Sequence, residues 1–309
     1  MSGRRKVLAV VVPLGAVAVL AALVFVKQNP ITYTEVRPDI VPIEPELVEI
    51  PAGSFLMGNP WGTPEERPVR EVHMSTYRIG KYEVTNEEYR RFCDATGRPY
   101  PLDPEEAGGK DYFISKPRHP VVMISWSDMA AYCRWLSDKT GKDYHLPTEA
   151  QWEKAARGGL DGKRYPWGDE RVEGMARMML DYYDGPVEVG SFPPNDYGLY
   201  DMAGNVNEVV ADWYEEGSYA KASGKDPLGP TGLEAYLGLA SVVGRSRLKG
   251  RCHIVRGGSW RAPWDWQTKG PHGMFETPVE CGAREYLYQH PYTHFDLGFR
   301  VAEGGVWRR

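Results

Sequence analysis

Positive charge is nowhere in surplus in the body of this chain. Acidic residues outnumber lysine and arginine 42 to 37, for a formal net charge of −5. No basic cluster stands out beyond the first few residues, so nothing in the charge balance points to nucleic acid as a partner. No internal repeat stands out either, which argues against a repeat architecture. Cysteine is scarce, with Cys93, Cys133, Cys252 and Cys281 the only four in 309 residues. Long periodic helices are also lacking. What is abundant is glycine (34), proline (25), tyrosine (19) and tryptophan (10). That mixture suits a turn-rich domain with short regular elements, and the length allows one large domain or two small ones.

A single unbroken apolar run stands out. It covers Val7 to Val26, interrupted only by Pro13 and Gly15, and is long enough to span a bilayer as a helix. Arg4, Arg5 and Lys6 precede it and only Lys27 follows closely. The positive-inside rule then leaves the start in the cytoplasm and the rest outside it. A cleaved signal peptide is the rival reading, but Val24-Phe25-Val26 lacks the small residues of a cleavage site. The expectation is residues 1–27 as a retained single-pass anchor in the cytoplasmic membrane, with the carboxy-terminal part periplasmic or extracellular. Residues 28–46 carry Pro30, Pro38, Pro42 and Pro45 and read as an extended linker, either a stalk or a strap lying on a partner. A folded domain is expected over 47–303 and a tail over 304–309.

Within the domain, Leu47 to Phe55 reads as an opening strand and Val72 to Tyr82 as a second. Thr85 followed by Glu88 is a capping box, opening a helix that runs through Tyr89, Phe92 and Cys93 to a stop at Gly97. Met129, Tyr132, Cys133 and Leu136 fall at helical spacing in a second helix, Ser127 to Thr140, with Ser127 or Asp128 as its cap. Thr148 with Gln151 opens a third, ended by Gly158-Gly159. Beyond it the sequence predicts turns and short strands, apart from a short helix at Leu233 to Leu239.

The stretch Tyr200-Asp201-Met202-Ala203-Gly204-Asn205-Val206-Asn207-Glu208 has an acid near each end and a tight turn between. Asp201 and Glu208, with turn carbonyls such as those of Gly204 and Val206, form a set of hard oxygen donors that suits Ca²⁺. The spacing is not that of an EF-hand. A turn bearing solvated acids is the competing reading.

The run Gly198-Leu199-Tyr200-Asp201-Met202-Ala203-Gly204-Asn205-Val206 also resembles the central signature of the formylglycine-generating enzyme (sulfatase-modifying factor) family. Further pieces agree in order. They are Ile50-Pro51-Ala52-Gly53-Ser54-Phe55-Leu56-Met57-Gly58, Tyr82-Glu83-Val84-Thr85-Asn86, and His119-Pro120-Val121-Val122 leading to Ser125-Trp126. Leu146-Pro147-Thr148-Glu149-Ala150-Gln151-Trp152-Glu153, Tyr165-Pro166-Trp167-Gly168, Arg256-Gly257-Gly258-Ser259-Trp260 and Gly298-Phe299-Arg300-Val301 follow. The resemblance covers roughly Leu47 to Ala302. It implies an α+β fold distantly related to C-type lectins, with little regular secondary structure. It is evidence for the fold before the activity, because function resides in the site.

Members that make formylglycine carry two cysteines in the pattern Gly-Gly-Ser-x-x-Cys-x-x-x-x-Cys, where copper binds and oxygen is activated. Here those positions hold Ala262 and Gln267. Neither offers a thiolate for Cu(I), so copper and sulfatase-cysteine conversion are not expected. The resemblance also implies a calcium site at Asp201, Gly204, Val206 and Glu208, although Asn207 and Val209 stand where the family usually has Trp. A second family calcium site begins with Asn where this chain has Arg177. Its guanidinium can stand in for the ion and pair with Asp184, so no metal is expected there.

Export favours disulfides. Cys93 and Cys133 lie on apolar helix faces and read as buried thiols, while Cys252 and Cys281 flank the active-site region and are the candidate bridge. His73, His119 and His145 fall inside scaffold motifs. His253, His272, His290 and His294 lie in the divergent last third, where imidazoles with Cys281 could bind zinc or copper; packed, hydrogen-bonded rings are the plainer reading. The stretch from Trp260 to Phe295 is rich in Arg and aromatics. Arg261, Trp264, Trp266, His272, Phe275 and Tyr286 make it a candidate partner or substrate face.

Two functional readings follow. One is a membrane-anchored accessory or structural protein that uses this face to hold another membrane or extracytoplasmic protein. The other is a periplasmic tailoring enzyme on a non-sulfatase substrate, with Glu276, Glu280, His272 or Tyr286 in acid–base roles. Some members of the family that lack the cysteine pair, such as the one in pyoverdine maturation, act in that second way.

Overall fold

The computed structural model describes residues 35–104, 109–179, 184–215, 217–230, 252–265, 267, 278–288 and 293–307. The expected anchor at 1–27, the Leu233–Leu239 helix, Trp266, His272 and Phe275 lie outside them. Among the described residues no helix is long and apolar enough to cross a membrane.

Each of the two expected opening strands is in fact a pair. Pro51, which has no N–H to give a ladder, separates β1 (Leu47–Ile50) from β2 (Gly53–Met57). Ser75 breaks the next run into β3 (Arg70–Met74) and β4 (Tyr77–Gly80). Its backbone N–H and its hydroxyl both donate to the Asp226 carboxylate, each at 2.7 Å, and so are lost to any sheet. β2 and β3 form an antiparallel ribbon, while β1 and β4 pair elsewhere.

Three helices open on capping boxes. In α1 (Asn86–Thr96), Thr85 N–H donates to Glu88 Oε2 at 2.7 Å, and the Thr85 hydroxyl oxygen accepts from Glu88 N–H. A single turn, α2 (Tyr112–Ser115), follows. In α3 (Trp126–Thr140) the cap is Ser125, not Ser127 or Asp128. Asp128 is instead the third-position partner that reaches back to Ser125. After β5 (Tyr144–His145) comes α4 (Glu149–Arg157), capped by Thr148 with Gln151. Every residue of α4 is buried, so this helix is the axis on which the rest packs. Its last carbonyls, of Ala155 and Ala156, accept from Asn195 Nδ2 at 2.7 and 3.1 Å, which satisfies groups a helix end otherwise leaves open.

The second half adds β6 (Asn207–Trp213), the single turn α5 (Ser218–Lys221), β7 (Cys252–Arg256), β8 (Glu285–Tyr288), β9 (Leu297–Gly298) and β10 (Ala302–Glu303). One sheet runs β1-β4-β10-β5, the other β8-β7-β6-β9. Among the described strands the β6–β9 pairing is parallel and the others antiparallel. The core has two main parts. One gathers α1 and α3 around Tyr89, Phe92, Tyr132 and Phe299; the other gathers α4 and the β2–β3 ribbon around Trp152.

From residue 35 the proline-rich segment lies on its own domain. Ile40 packs on the α1–α3 core. Arg37 pairs with Asp94 at 2.9 Å and Lys139 donates to the Pro38 carbonyl at 2.5 Å. Lys142 pairs with Glu44, and Lys81 with Glu46.

Candidate functional site

The Tyr200–Glu208 loop is shaped by backbone that only some residues tolerate. Asp201, Gly204 and Asn205 have φ of 55°, 78° and 61°, the left-handed region. At Gly204 a side chain is excluded outright, since a Cβ there would lie 2.2 Å from the Arg177 carbonyl oxygen. Asn205 locks the turn: its N–H donates to that same carbonyl and its Nδ2 donates to Glu83 Oε2 at 2.7 Å. Val206 N–H donates to the other Glu83 oxygen at 3.2 Å.

The loop then delivers Glu208 to a buried guanidinium. Arg300 Nε and Nη2 donate to the two Glu208 oxygens at 2.7 Å each, and Trp152 Nε1 donates at 2.9 Å. The remaining Arg300 donors reach the carbonyls of Gly80 and Tyr200. Asp201 Oδ2 accepts from Gly190 N–H at 2.6 Å. Glu83, Asp201 and Glu208 are all buried, with Arg300 the base set among them. Burial, then the neighbouring Asp201 and Glu208 charges, push Glu83 well above the carboxylate range. Burial raises Asp201 to about 6, with Glu208 adding to the shift. Burial disfavours the Arg300 charge, but Glu208 more than offsets this and its pKa rises.

The calcium expectation fits this arrangement poorly. Ca²⁺ takes six to eight oxygens, yet both Glu208 oxygens are engaged by Arg300 and Trp152. At the second family position Arg177 donates to the carbonyls of Asp184 and Gly185.

The Gly-Gly-Ser motif is fastened to the same loop. Gly204 N–H donates to the Gly257 carbonyl, Trp260 N–H to that of Asn205, and Ser259 Oγ to Asp296 Oδ2. This brings Ala262 into a small apolar cluster with Tyr165, Met178, Ala203 and Val279. Ala262 is fully buried, whereas Gln267 is exposed.

The cysteine bridge is a correction. Among the described residues no disulfide joins Cys252 and Cys281; both are buried, as are Cys93 and Cys133. Both of the first pair sit in the α4 core, where apolar packing favours the neutral thiol. Burial pushes Cys281 up to about 12.

Arg261 corrects another expectation. It is 5 % exposed, with its guanidinium 5.6 Å from the Phe295 ring centre, so it braces the interior and presents little at the surface. Trp264 is half-buried and meets Tyr165 edge-on at 5.6 Å; Tyr165 in turn stacks on Trp167 at 5.4 Å. Tyr286 lies in β8. Apart from Glu280, sequence reasoning missed the charges around this aromatic group. Arg164 lies 3.8 Å from both Asp265 and Glu280 and 4.6 Å from the ring centre of exposed Trp61. Asp265 also pairs with Arg171. Glu280 is buried, accepts from Asn59 Nδ2 at 2.7 Å, and has its pKa raised by that burial. The Tyr165-Pro166-Trp167-Gly168 motif, Trp264 and Glu280 marked this neighbourhood in the sequence.

Behind it stands a second ionic cluster. Glu153 on α4 accepts from Arg157, Arg256 and Gly58 N–H, and Glu149 pairs with Arg256 and Arg284. Burial opposes the Glu153 charge, yet Arg157 and Arg256 hold its pKa below the ordinary value.

With motifs, fold and site aligned in this way, the chain belongs to the sulfatase-modifying factor enzyme 1-like domain family, whose model matches residues 32–304. It is 33 % identical over 270 residues to the formylglycine-generating enzyme of Thermomonospora curvata, covering 69 % of this chain and 82 % of that one. It is also 33 % identical over 222 residues to the inactive C-alpha-formylglycine-generating enzyme 2 of Mus musculus, covering 56 % and 70 %. Among solved structures it resembles PvdO from Pseudomonas aeruginosa, with a TM-score of 0.65, 29 % identity, and 88 % and 98 % of the two chains covered.

Proposed function

We propose that this protein is a membrane-anchored extracytoplasmic accessory protein whose non-catalytic domain holds a partner protein, as a subunit of a membrane complex. The observation that carries this reading is the pair of positions 262 and 267: one holds a buried methyl and the other an exposed amide. The oxidase's copper thiolates have no counterpart there. What remains on that side is a surface of Trp61, Trp167 and Trp264 beside Arg164 and Arg171, the residue types that dominate interface energies. The inactive mammalian relative is a precedent for the scaffold without the reaction. The apolar run Val7–Val26, preceded by Arg4, Arg5 and Lys6, supports an anchor with the domain outside the cytoplasm. Purification from native membranes in mild detergent, followed by mass measurement, tests the proposal: a stoichiometric complex is expected, and a lone monomer contradicts it.

A second reading rests on Glu280. A buried carboxyl of raised pKa beside Arg164 is suited to proton transfer, and the likeness to PvdO extends over most of both chains. It makes the domain a tailoring enzyme on a non-sulfatase substrate. Accumulation of an unmodified exported metabolite in cells carrying Glu280→Gln favours it; unchanged metabolite profiles remove it.

A further inference from the structure

On the far side of α3 lies a cavity of about 560 Å³ that no reading above uses, within the size range of small-molecule sites. Its walls include Trp126 and Trp307. Each indole has a histidine stacked on it. Trp126 lies 4.2 Å from the His253 ring at 7°, and Trp307 lies 4.5 Å from the His145 ring at 15°. Both indole N–H groups are satisfied, Trp126 by the Val210 carbonyl and Trp307 by Asp143 Oδ2. Burial lowers both histidine pKa values, that of His253 to about 3. The two stacks are therefore uncharged at neutral pH, and each tryptophan is held in place where it lines the cavity.

The rim supplies charge of both signs. Arg134 and Asp138 line the cavity from α3 and are exposed. No ion pair engages either among the described residues. Standing four apart, they are neighbours on the helix surface. A guanidinium beside a carboxylate, above two fixed aromatic walls, matches a molecule with a flat ring and a zwitterionic head. We propose that this cavity binds an aromatic α-amino acid. The ring lies against Trp126 and Trp307, the α-carboxylate on Arg134 and the α-ammonium on Asp138.

Calorimetric titration of the full chain with L-phenylalanine tests this. Saturable binding is expected, weakened roughly tenfold by Trp307→Ala, which removes one wall. Arg134→Ala and Asp138→Ala, both on an exposed helix face where folding is not at stake, are each expected to weaken it by a similar factor. Phenethylamine and 3-phenylpropionate, which lack one head group each, are expected to bind more weakly than phenylalanine. Absence of saturable binding overturns the proposal. So does binding that is indifferent to all three substitutions, or equal affinity for phenethylamine.

Discussion

Two buried ionic regions sit on either side of α4, and they are balanced differently. Around Glu149 and Glu153 there are two acids for three bases, Arg157, Arg256 and Arg284. Around the Tyr200–Glu208 loop there are three acids, Glu83, Asp201 and Glu208, and Arg300 pairs with one of them, Glu208. A buried charge is tolerated when it is paired and hydrogen-bonded. The first region meets that condition and its carboxylate Glu153 is held ionised. The second meets it only for Glu208, and its other two acids are pushed toward neutrality. The Glu153 pairing therefore behaves as fixed scaffold, while pH sensitivity lies with Glu83 and Asp201 in the second region and with Asp212, which burial pushes up to about 7 beside Glu149.

The largest effect should come from removing the base that has no substitute. Arg300→Met strands Glu208 among other acids and is expected to cost about 3–5 kcal/mol in urea denaturation, the range for breaking a buried pair. Arg256→Met should cost less, roughly 3 kcal/mol, because Arg157 and Arg284 remain beside the same acids. If the two substitutions cost the same, the contrast between the regions fails.

A smaller effect comes from Asp201. Its folded pKa is raised, so the folded state binds more protons than the unfolded state, and stability falls as pH rises toward about 6. Asp201→Asn keeps an acceptor for Gly190 N–H and removes the titration. It should stabilise the protein at pH 7 by roughly 1–3 kcal/mol and change little at pH 4. A matched pair of denaturation curves at the two values checks the sign. Smaller still, Lys142→Ala at the surface strap should cost under about 1 kcal/mol. Calcium should not shift the melting temperature, because Arg300 already satisfies Glu208; a clear rise on adding calcium would restore the four-donor site.

Much of this contrast was legible in the sequence as position, and little of it as chemistry. The capping pairs Thr85–Glu88 and Thr148–Gln151 announced two helices, because the cap is a local interaction. The motifs placed Asp201, Glu208 and Arg300 in the right segments. They did not reveal that Arg300 reaches across 92 residues to Glu208, nor that Glu83 completes the acid group, since both are long-range contacts. The same limit explains the cysteines. Cys252 and Cys281 do share one core, but as packed thiols. The strand breaks at Pro51 and Ser75 show the converse: one was readable from a missing N–H, and the other required knowing that Asp226 would come alongside.

The central claim is that the family scaffold survives here without the family's oxidation. It is tested most directly by incubating the purified protein, supplied with copper and oxygen, with a cysteine peptide of the kind sulfatases carry, and weighing the product. The peptide should return with its cysteine unchanged. Conversion of that cysteine to an aldehyde would show that Ala262 and Gln267 are no obstacle, and would contradict the account.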